Sequence, residues 1–250
     1  ITQNGGSILS LCVILFYKDI MLEELIKIDQ QILLLFNRYH TVYWDQVMWV
    51  YTGKYIWIPL ILSFVWVYFR KNWKDALWTI LMMILVVTVC DQFASTICKP
   101  YFARFRPAQD PDFSQFVTIA NGYRGGKFGF ISSHAANAAG LVTFTALLFR
   151  NKLYTITAII WALLTCYSRM YLGVHYPGDI LAGSVWGILT GWGGYYLYVT
   201  GRSNAVKRGW LQGNLSPYYN NKDVRIIVAV IYVTFLAILI LSPWINFRIK

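Results

Sequence analysis

The sequence predicts an all-α integral membrane protein: a six-transmembrane-helix bundle with an N-terminal interfacial helix. Hydrophobic residues make up 57% of the 250 residues and charged residues only 13%, far from the balance of a soluble globular domain. The mean hydropathy is +0.48. Many Trp and Tyr residues lie where apolar runs end, as expected for rings at the level of the lipid headgroups. These observations place the chain in a bilayer.

Six apolar stretches are candidates for transmembrane helices. A helix that crosses a bilayer needs about 20 largely apolar residues, and mostly short connections separate these stretches. The predicted spans are residues 50–69, 76–98, 134–149, 153–172, 177–199 and 225–244.

The N-terminal part of the chain has a different pattern. Between residues 21 and 38, apolar residues recur near helical spacing with polar residues between them, which predicts an interfacial helix. Residues 7–17 are apolar but too short to span, and Met21 would make a sensible natural start. We therefore interpret residues 1–20 as a vector-derived or non-native leader. Residues 21–250 are expected to form one domain, with a motif core at 57–199 and an extra helix at 225–244.

The charge distribution predicts partners and orientation. The formal net charge is +11, but the Lys and Arg residues are scattered in short loops, which favours anionic lipid over nucleic acid as the partner. Loops one, three and five carry ten cations and should be cytoplasmic. The even-numbered loops would then face outward. The ten cations are Arg70, Lys71, Lys74, Arg150, Lys152, Arg202, Lys207, Arg208, Lys222 and Arg225.

Two even-numbered loops hold nearly all the residues expected to do chemistry. The first begins at Lys99, contains Arg106 and ends at His134, and the second runs from 168 to 179. Phosphoryl transfer without a metal requires fixed donors around the equatorial oxygens, and Lys99, Arg106 and Arg169 can supply them. Two Arg forks and one Lys point charge suit a tetrahedral anion.

Two histidines complete this predicted site. Neutral His175 can attack phosphorus, and Asp179 lies one helical turn further on, where its carboxylate can orient the imidazole. His134, at the start of a span, is the candidate acid and base. Ser132, its neighbour Ser133 and nearby backbone N–H groups are expected to hold phosphate oxygens. No metal or cofactor is expected.

The motifs in these loops resemble those of the type 2 phosphatidic acid phosphatase superfamily. Its signatures are Lys-x6-Arg-Pro, Pro-Ser-Gly-His and Ser-Arg-x5-His-x3-Asp. The first and third match fully, whereas the second has Ile131 for Pro and Ser133 for Gly. The resemblance covers roughly residues 57–199 and implies a six-helix bundle, an outward-facing site and no metal. It also implies phosphate binding by the Lys and two Arg, a nucleophile at His175 and an acid at His134.

A narrower resemblance is to bacterial lipid A 4′-phosphatases. It rests on residues 91–92, 98–107, 121–126 and 129–137. It implies a membrane lipid phosphatase that hydrolyses a phosphate monoester or diphosphate of a bacterial envelope lipid, with lipid A first, at the periplasmic face of the bacterial inner membrane. Undecaprenyl diphosphate, phosphatidylglycerol phosphate and phosphatidic acid are alternative substrates.

Other readings of the same residues remain open. Arg104, Arg124 and Lys127 are possible headgroup contacts, although basic residues at a membrane edge more commonly meet lipid phosphates nonspecifically. The fold could also serve a noncatalytic lipid-binding or transport protein, a reading against which the intact motif residues argue. The vanadium haloperoxidases use a similar anion site, but the apolar spans argue against a soluble protein. No obligatory protein partner is predicted.

Overall fold

The computed structural model describes residues 5–70, 72–211 and 219–244, with the side chains of the first helix described from residue 21. Within these ranges the chain is helical and forms no β-strand. The helices are α1 (Gly5–Asn37), α2 (Val42–Thr52), α3 (Ile58–Phe69), α4 (Trp73–Gln92), α5 (Lys99–Phe102), α6 (Ser133–Phe149), α7 (Lys152–Tyr171), α8 (Pro177–Lys207) and α9 (Asn221–Leu241).

Side-chain caps fix where several helices begin. Asn72 accepts a hydrogen bond from the backbone N–H of Lys74 at the start of α4, and Asn151 accepts one from Tyr154 at the start of α7. Such caps satisfy backbone donors that have no partner inside the helix. Pro177 opens α8, where its missing N–H costs nothing.

The prediction of six spans is confirmed in part. Three helical segments of the described residues are long and apolar enough to cross a membrane: Trp73–Phe102, Lys152–Tyr171 and Asn221–Trp244. The first of these contains α4, a π-helical turn (Phe93–Cys98) and α5. Helix α6 is apolar but only 17 residues long. Helix α8 has 31 residues, which is long enough to span a membrane, but it is less apolar than the three segments named above.

The prediction of one continuous span over residues 50–69 is wrong. Helix α2 ends at Thr52, and Gly53 takes an extended conformation after it. The pair Val42–Thr52 and Tyr55–Phe69 is bent by 64°. This pair is either a fourth, broken span or a re-entrant loop.

Helix α1 is longer than the predicted interfacial helix and packs on the bundle. It starts at Gly5, so residues 5–20 of the supposed leader continue the same helix, and residues 1–4 lie outside the described residues. Leu33 is fully buried against Phe113, Val117 and Tyr176. Asn37 is buried and donates to the backbone carbonyl of Tyr171 at 2.7 Å. The C-terminal half of α1 is therefore docked against the loops beside α7 and α8.

The centre of the bundle is the pair α6 and α8, which approach closely along a row of glycines. A Cβ at Gly183 would lie 2.5 Å from the carbonyl oxygen of Ser132, and one at Gly191 would lie 2.4 Å from that of Gly140. Small residues allow such backbone contact between membrane helices. This packing fixes the first turns of α6 and α8 beside each other.

Two connections at this end of the bundle are tied together. The long connection, residues 103–132, joins α5 to α6, and the short connection, residues 172–176, joins α7 to α8. Backbone hydrogen bonds run from Ala108 N–H to the Gly173 carbonyl (3.0 Å) and from Ser132 N–H to the Asp179 carbonyl (2.9 Å). The loops that carry the sequence motifs therefore meet at one end of the helices.

Candidate active site

Lys99 approaches the site from the end of the α4–α5 segment. Its half-buried ammonium donates to the hydroxyl of Ser133 at 2.7 Å and to that of Ser95 at 3.2 Å. Ser95 is one helical turn before Lys99, so the helix itself brings these side chains together. The first and second motifs therefore meet directly, through Lys99 and Ser133.

Arg106 sets the protonation pattern of His175. Its buried guanidinium is held by the carbonyl oxygens of Phe128 (Nε, 3.1 Å) and Val174 (Nη1, 3.3 Å). Nη1 also lies 3.2 Å from Nε2 of His175. Since an arginine N–H can only donate, Nε2 is the acceptor and carries a lone pair. In the neutral imidazole the proton is then on Nδ1.

Asp179 faces that second imidazole nitrogen. Its Oδ2 lies 3.4 Å from Nδ1 of His175 and accepts a hydrogen bond from the backbone N–H of Tyr176 at 3.0 Å. The structure thus places Asp179 beside His175, one helical turn along the chain. Both side chains are buried, and a Cβ at Gly129 would lie 2.9 Å from Oδ2 of Asp179. The long connection therefore closes over this pair.

Burial and positive charge keep His175 neutral. Desolvation, followed by the charges of Arg106, Arg169 and Lys99, lowers the pKa of His175 well below its ordinary value of 6.5. Burial and the neighbouring Arg169 likewise lower the pKa of Arg106. Several cations are thus held at short range before any anion binds, an arrangement that favours the binding of a multiply charged anion.

Arg169 comes from the last turn of α7 and is 1% exposed. One terminal N–H donates to the hydroxyl of Thr52 in α2, and the guanidinium lies 5.8 Å from the centre of the Tyr123 ring. The buried Nε has no hydrogen-bond partner among the described residues. A buried donor of this kind can bind an anion at little further desolvation cost.

His134 and the two serines lie at the start of α6. The imidazole of His134 is exposed, yet within electrostatic range of Arg169, His175 and Arg106. Ser132 differs from the expectation: its hydroxyl is fully buried and caps α6 by accepting from Ala135 N–H at 3.4 Å. It is therefore better placed to fix the start of α6 than to hold phosphate, whereas Ser133 stays with Lys99 in the site.

The three additional cations have different surroundings. Arg104 is not free for a headgroup, because its guanidinium pairs with Asp179 at 3.0 Å and with Asp29 at 2.6 Å. Arg124 is exposed and donates to the Ala108 carbonyl at 2.7 Å. Lys127 is also exposed, near two phenylalanine rings. Only Arg124 and Lys127 keep the expected availability to a headgroup.

Sequence reasoning missed several residues that support the site. Asp29, Thr52 and Ser95 contact Arg104, Arg169 and Lys99 respectively. The i,i+4 spacing could have indicated Ser95, but nothing in the sequence pairs α1 or α2 with the motifs. The described residues contain no group of three His, Cys, Asp or Glu side chains that could hold a metal, and metal independence stays a prediction.

This cluster of cations and imidazoles, at one end of a bundle of apolar helices, defines a membrane phosphatase. The PAP2 superfamily model matches residues 75–203, and the chain belongs to that superfamily. It is 41% identical to the lipid A 4′-phosphatase of Bacteroides thetaiotaomicron over 71% of this chain and 80% of that protein. It is 38% identical to the lipid A 4′-phosphatase of Porphyromonas gingivalis over 73% and 78% of the two chains.

A solved structure shows the same fold. It is the transmembrane PAP2 type phosphatidylglycerolphosphate phosphatase from Bacillus subtilis, 24% identical to this chain, with a TM-score of 0.53. The similarity covers 79% of this chain and 97% of that one.

Proposed function

We propose that the chain is a lipid A phosphatase that works through a phosphohistidine at His175. The observation that carries this proposal is the contact between Arg106 Nη1 and His175 Nε2 at 3.2 Å. It joins a phosphate-binding cation and the attacking atom in one place. Support for the substrate comes from the two relatives named as lipid A 4′-phosphatases, each matched over more than three quarters of its length.

In the first step the Arg106 N–H exchanges His175 Nε2 for a phosphate oxygen, and the lone pair so released on Nε2 attacks the phosphorus of the monoester. The bond between phosphorus and the ester oxygen breaks, and that oxygen leaves as an alcohol after taking a proton from His134, whose protonated form the negative charge of the bound phosphate stabilises. Asp179 stabilises the positive charge that develops on the imidazole through the Nδ1 proton. The products are the dephosphorylated lipid and a phosphohistidine.

In the second step water replaces the lipid. His134, now without its proton, removes a proton from a water molecule, whose oxygen attacks the phosphorus. The bond between phosphorus and Nε2 breaks, which returns the electron pair to His175 and releases inorganic phosphate. Throughout both steps, Lys99, Arg106 and Arg169 are proposed to bind the equatorial oxygens, on which charge is spread in the transition state.

We further propose that the site faces the periplasm from the inner membrane. From the order of the helices, the cation-rich loops one, three and five lie at the end of the bundle opposite the motif loops. Arg70 follows α3, Lys152 begins α7 and Lys207 ends α8. Under the positive-inside rule that opposite end is cytoplasmic. A periplasmic site would act on a lipid A molecule in the outer leaflet of that membrane.

The test is a comparison of kcat/KM on purified protein for lipid A, undecaprenyl diphosphate, phosphatidylglycerol phosphate and phosphatidic acid, since that ratio measures discrimination. We expect lipid A to give the highest value and His175→Ala to abolish phosphate release with the protein still folded. A higher value for another lipid would contradict the substrate assignment. Turnover by His175→Ala would contradict the nucleophile. Activity that persists in a chelator would support a metal-free reaction.

A further inference from the structure

The carboxylate of Asp29, on the N-terminal helix α1, lies at the buried end of the site. Asp29 accepts a hydrogen bond from Arg104 Nη2 at 2.6 Å and one from the backbone N–H of Gly178 at 2.7 Å. Its side chain is 14% exposed. A Cβ at Gly178 would lie 2.9 Å from an Asp29 oxygen, so the glycine at the second position of α8 leaves room for this close approach.

Arg104 links Asp29 to Asp179. The two terminal nitrogens of one guanidinium are divided between two carboxylates, with Nη2 on Asp29 and Nη1 on Asp179 at 3.0 Å. The planar guanidinium also lies over the Tyr176 ring at 4.3 Å, and the Tyr176 hydroxyl donates to Asp110 at 3.2 Å. An arginine fork held on one face and at both ends has little freedom to turn.

The two contacts of Asp29 converge on the same target. The Gly178 amide belongs to the first turn of α8, and Asp179 is the next residue of that turn. The fully buried Asp179 carboxylate has Arg104 on one oxygen, and the Tyr176 amide and His175 on the other. A change at Asp29 therefore reaches the imidazole through both the guanidinium and the helix backbone.

We propose that Asp29 and Arg104 are positioning residues, which fix the Asp179 carboxylate and thereby the orientation of His175. This inference rests on the proposed phosphohistidine mechanism. Neither residue touches phosphorus. Their contribution to the rate comes from holding the orienting carboxylate in place, and misplacement of reacting groups by about 1 Å can cost about 100-fold in rate.

Other contacts keep α1 docked when Asp29 changes. Leu33 is buried against Phe113 and Tyr176, and Asn37 is bonded to the backbone of Thr118 and Tyr171. The variant Asp29→Asn preserves the shape of the side chain, removes its charge and leaves these contacts unchanged. Glu23→Gln is the matched control, because it removes a carboxylate from an exposed position on the same helix.

The experiment measures kcat and KM of the whole 250-residue chain in lipid nanodiscs with lipid A as substrate. We expect Asp29→Asn to lower kcat by about 10-fold or more, as for other residues that hold a functional group in place. KM should change by less than about 2-fold, because the phosphate-binding cations remain. Glu23→Gln should match the wild type.

A double-mutant cycle separates positioning from a general loss of structure. In an Asp179→Asn background, Asp29→Asn should lower kcat by less than about 2-fold, since the carboxylate through which it acts is gone. Equal losses in the two backgrounds, or kinetics of Asp29→Asn like those of Glu23→Gln, would overturn the inference. If Asp29→Asn does not fold, Arg104→Lys is used in the same cycle, because Lys keeps the charge and loses the fork. If Arg104→Lys lowers kcat equally with and without Asp179→Asn, the inference is also overturned.

The same measurements distinguish this inference from the proposed function. Wild-type protein with no activity on any lipid phosphate, or His175→Ala with full activity, would overturn the mechanism and the inference together. An active wild type and an inactive His175→Ala, combined with a neutral Asp29→Asn, would overturn the positioning role alone.

Discussion

Replacement of Gly187 by alanine should force α6 and α8 apart. A Cβ at this position would lie 2.2 Å from the carbonyl oxygen of Ala136 and 2.9 Å from the amide nitrogen of Gly140. Both are backbone atoms, so relief requires a helix to move by about 1 Å. Overpacking of this kind costs about 1–3 kcal/mol, and a clash with backbone belongs at the upper end. The helix propensity of alanine offsets up to about 1 kcal/mol, which leaves a net loss of about 2 kcal/mol.

Gly193→Ala on the same helix is the matched control. A Cβ there would meet nothing within 4 Å, so only the gain in helix propensity remains, up to about 1 kcal/mol. Thermal unfolding of both variants in the same nanodiscs should show Gly187→Ala below and Gly193→Ala at or above the wild type. Phosphate release by Gly187→Ala should fall as well, because α6 carries His134 and α8 carries Asp179. Equal stability of the two variants would refute the close packing of α6 and α8.

Three further predictions follow from the site and the docking of α1. Arg169→Lys should lower kcat/KM by about 10- to 100-fold, because one charge-assisted hydrogen bond of about 1.5–3 kcal/mol is lost. The exposed Arg124→Lys is the control and should stay near the wild type. Equal kcat/KM values for the two variants would contradict the role of Arg169. Asn37→Ala should lower the unfolding free energy by about 2–3 kcal/mol, because buried backbone groups lose their hydrogen-bond partner. The exposed Arg38→Ala is the control, and a melting temperature of Asn37→Ala like that of Arg38→Ala would argue against the docking of α1. The pKa of His175 is lowered, so the imidazole stays neutral below pH 6.5; kcat/KM should hold its plateau at that pH and fall only under more acidic conditions. The free energy of unfolding should decrease as pH falls below 6.5, because the unfolded chain then binds a proton that the buried imidazole does not. An acidic limb of kcat/KM centred at or above pH 6.5 would contradict a neutral, buried His175.

Local spacing explains how much of the site could be predicted. The four-residue step from His175 to Asp179 fixes their proximity once α8 begins at Pro177. The alternating directions of the successive helices α4 to α8 bring the loop after Lys99 and the loop after Arg169 to one end of the bundle. Both inferences need only the periodicity of the chain.

Tertiary packing determined what the sequence could not indicate. Asp29 is 149 residues from Gly178 and 75 from Arg104, and no local pattern selects that pairing. Gly53 and Lys54 interrupt the apolar run over residues 50–69, but they do not indicate that the 64° bend after Thr52 leaves its hydroxyl bonded to Arg169. The role of the Ser132 hydroxyl depends on where α6 begins, and because the helix starts at Ser133 that hydroxyl becomes its cap.

A phosphohistidine at His175 can be trapped directly as the phosphorylated enzyme. Purified protein is mixed with lipid A that carries labelled phosphate, stopped within one turnover and digested, and the labelled residue is identified by mass spectrometry. We expect an acid-labile phosphoryl group on His175, absent from His175→Ala and longer-lived in His134→Ala, where water is no longer activated. Label on another residue, or rapid turnover with no labelled intermediate, would contradict it.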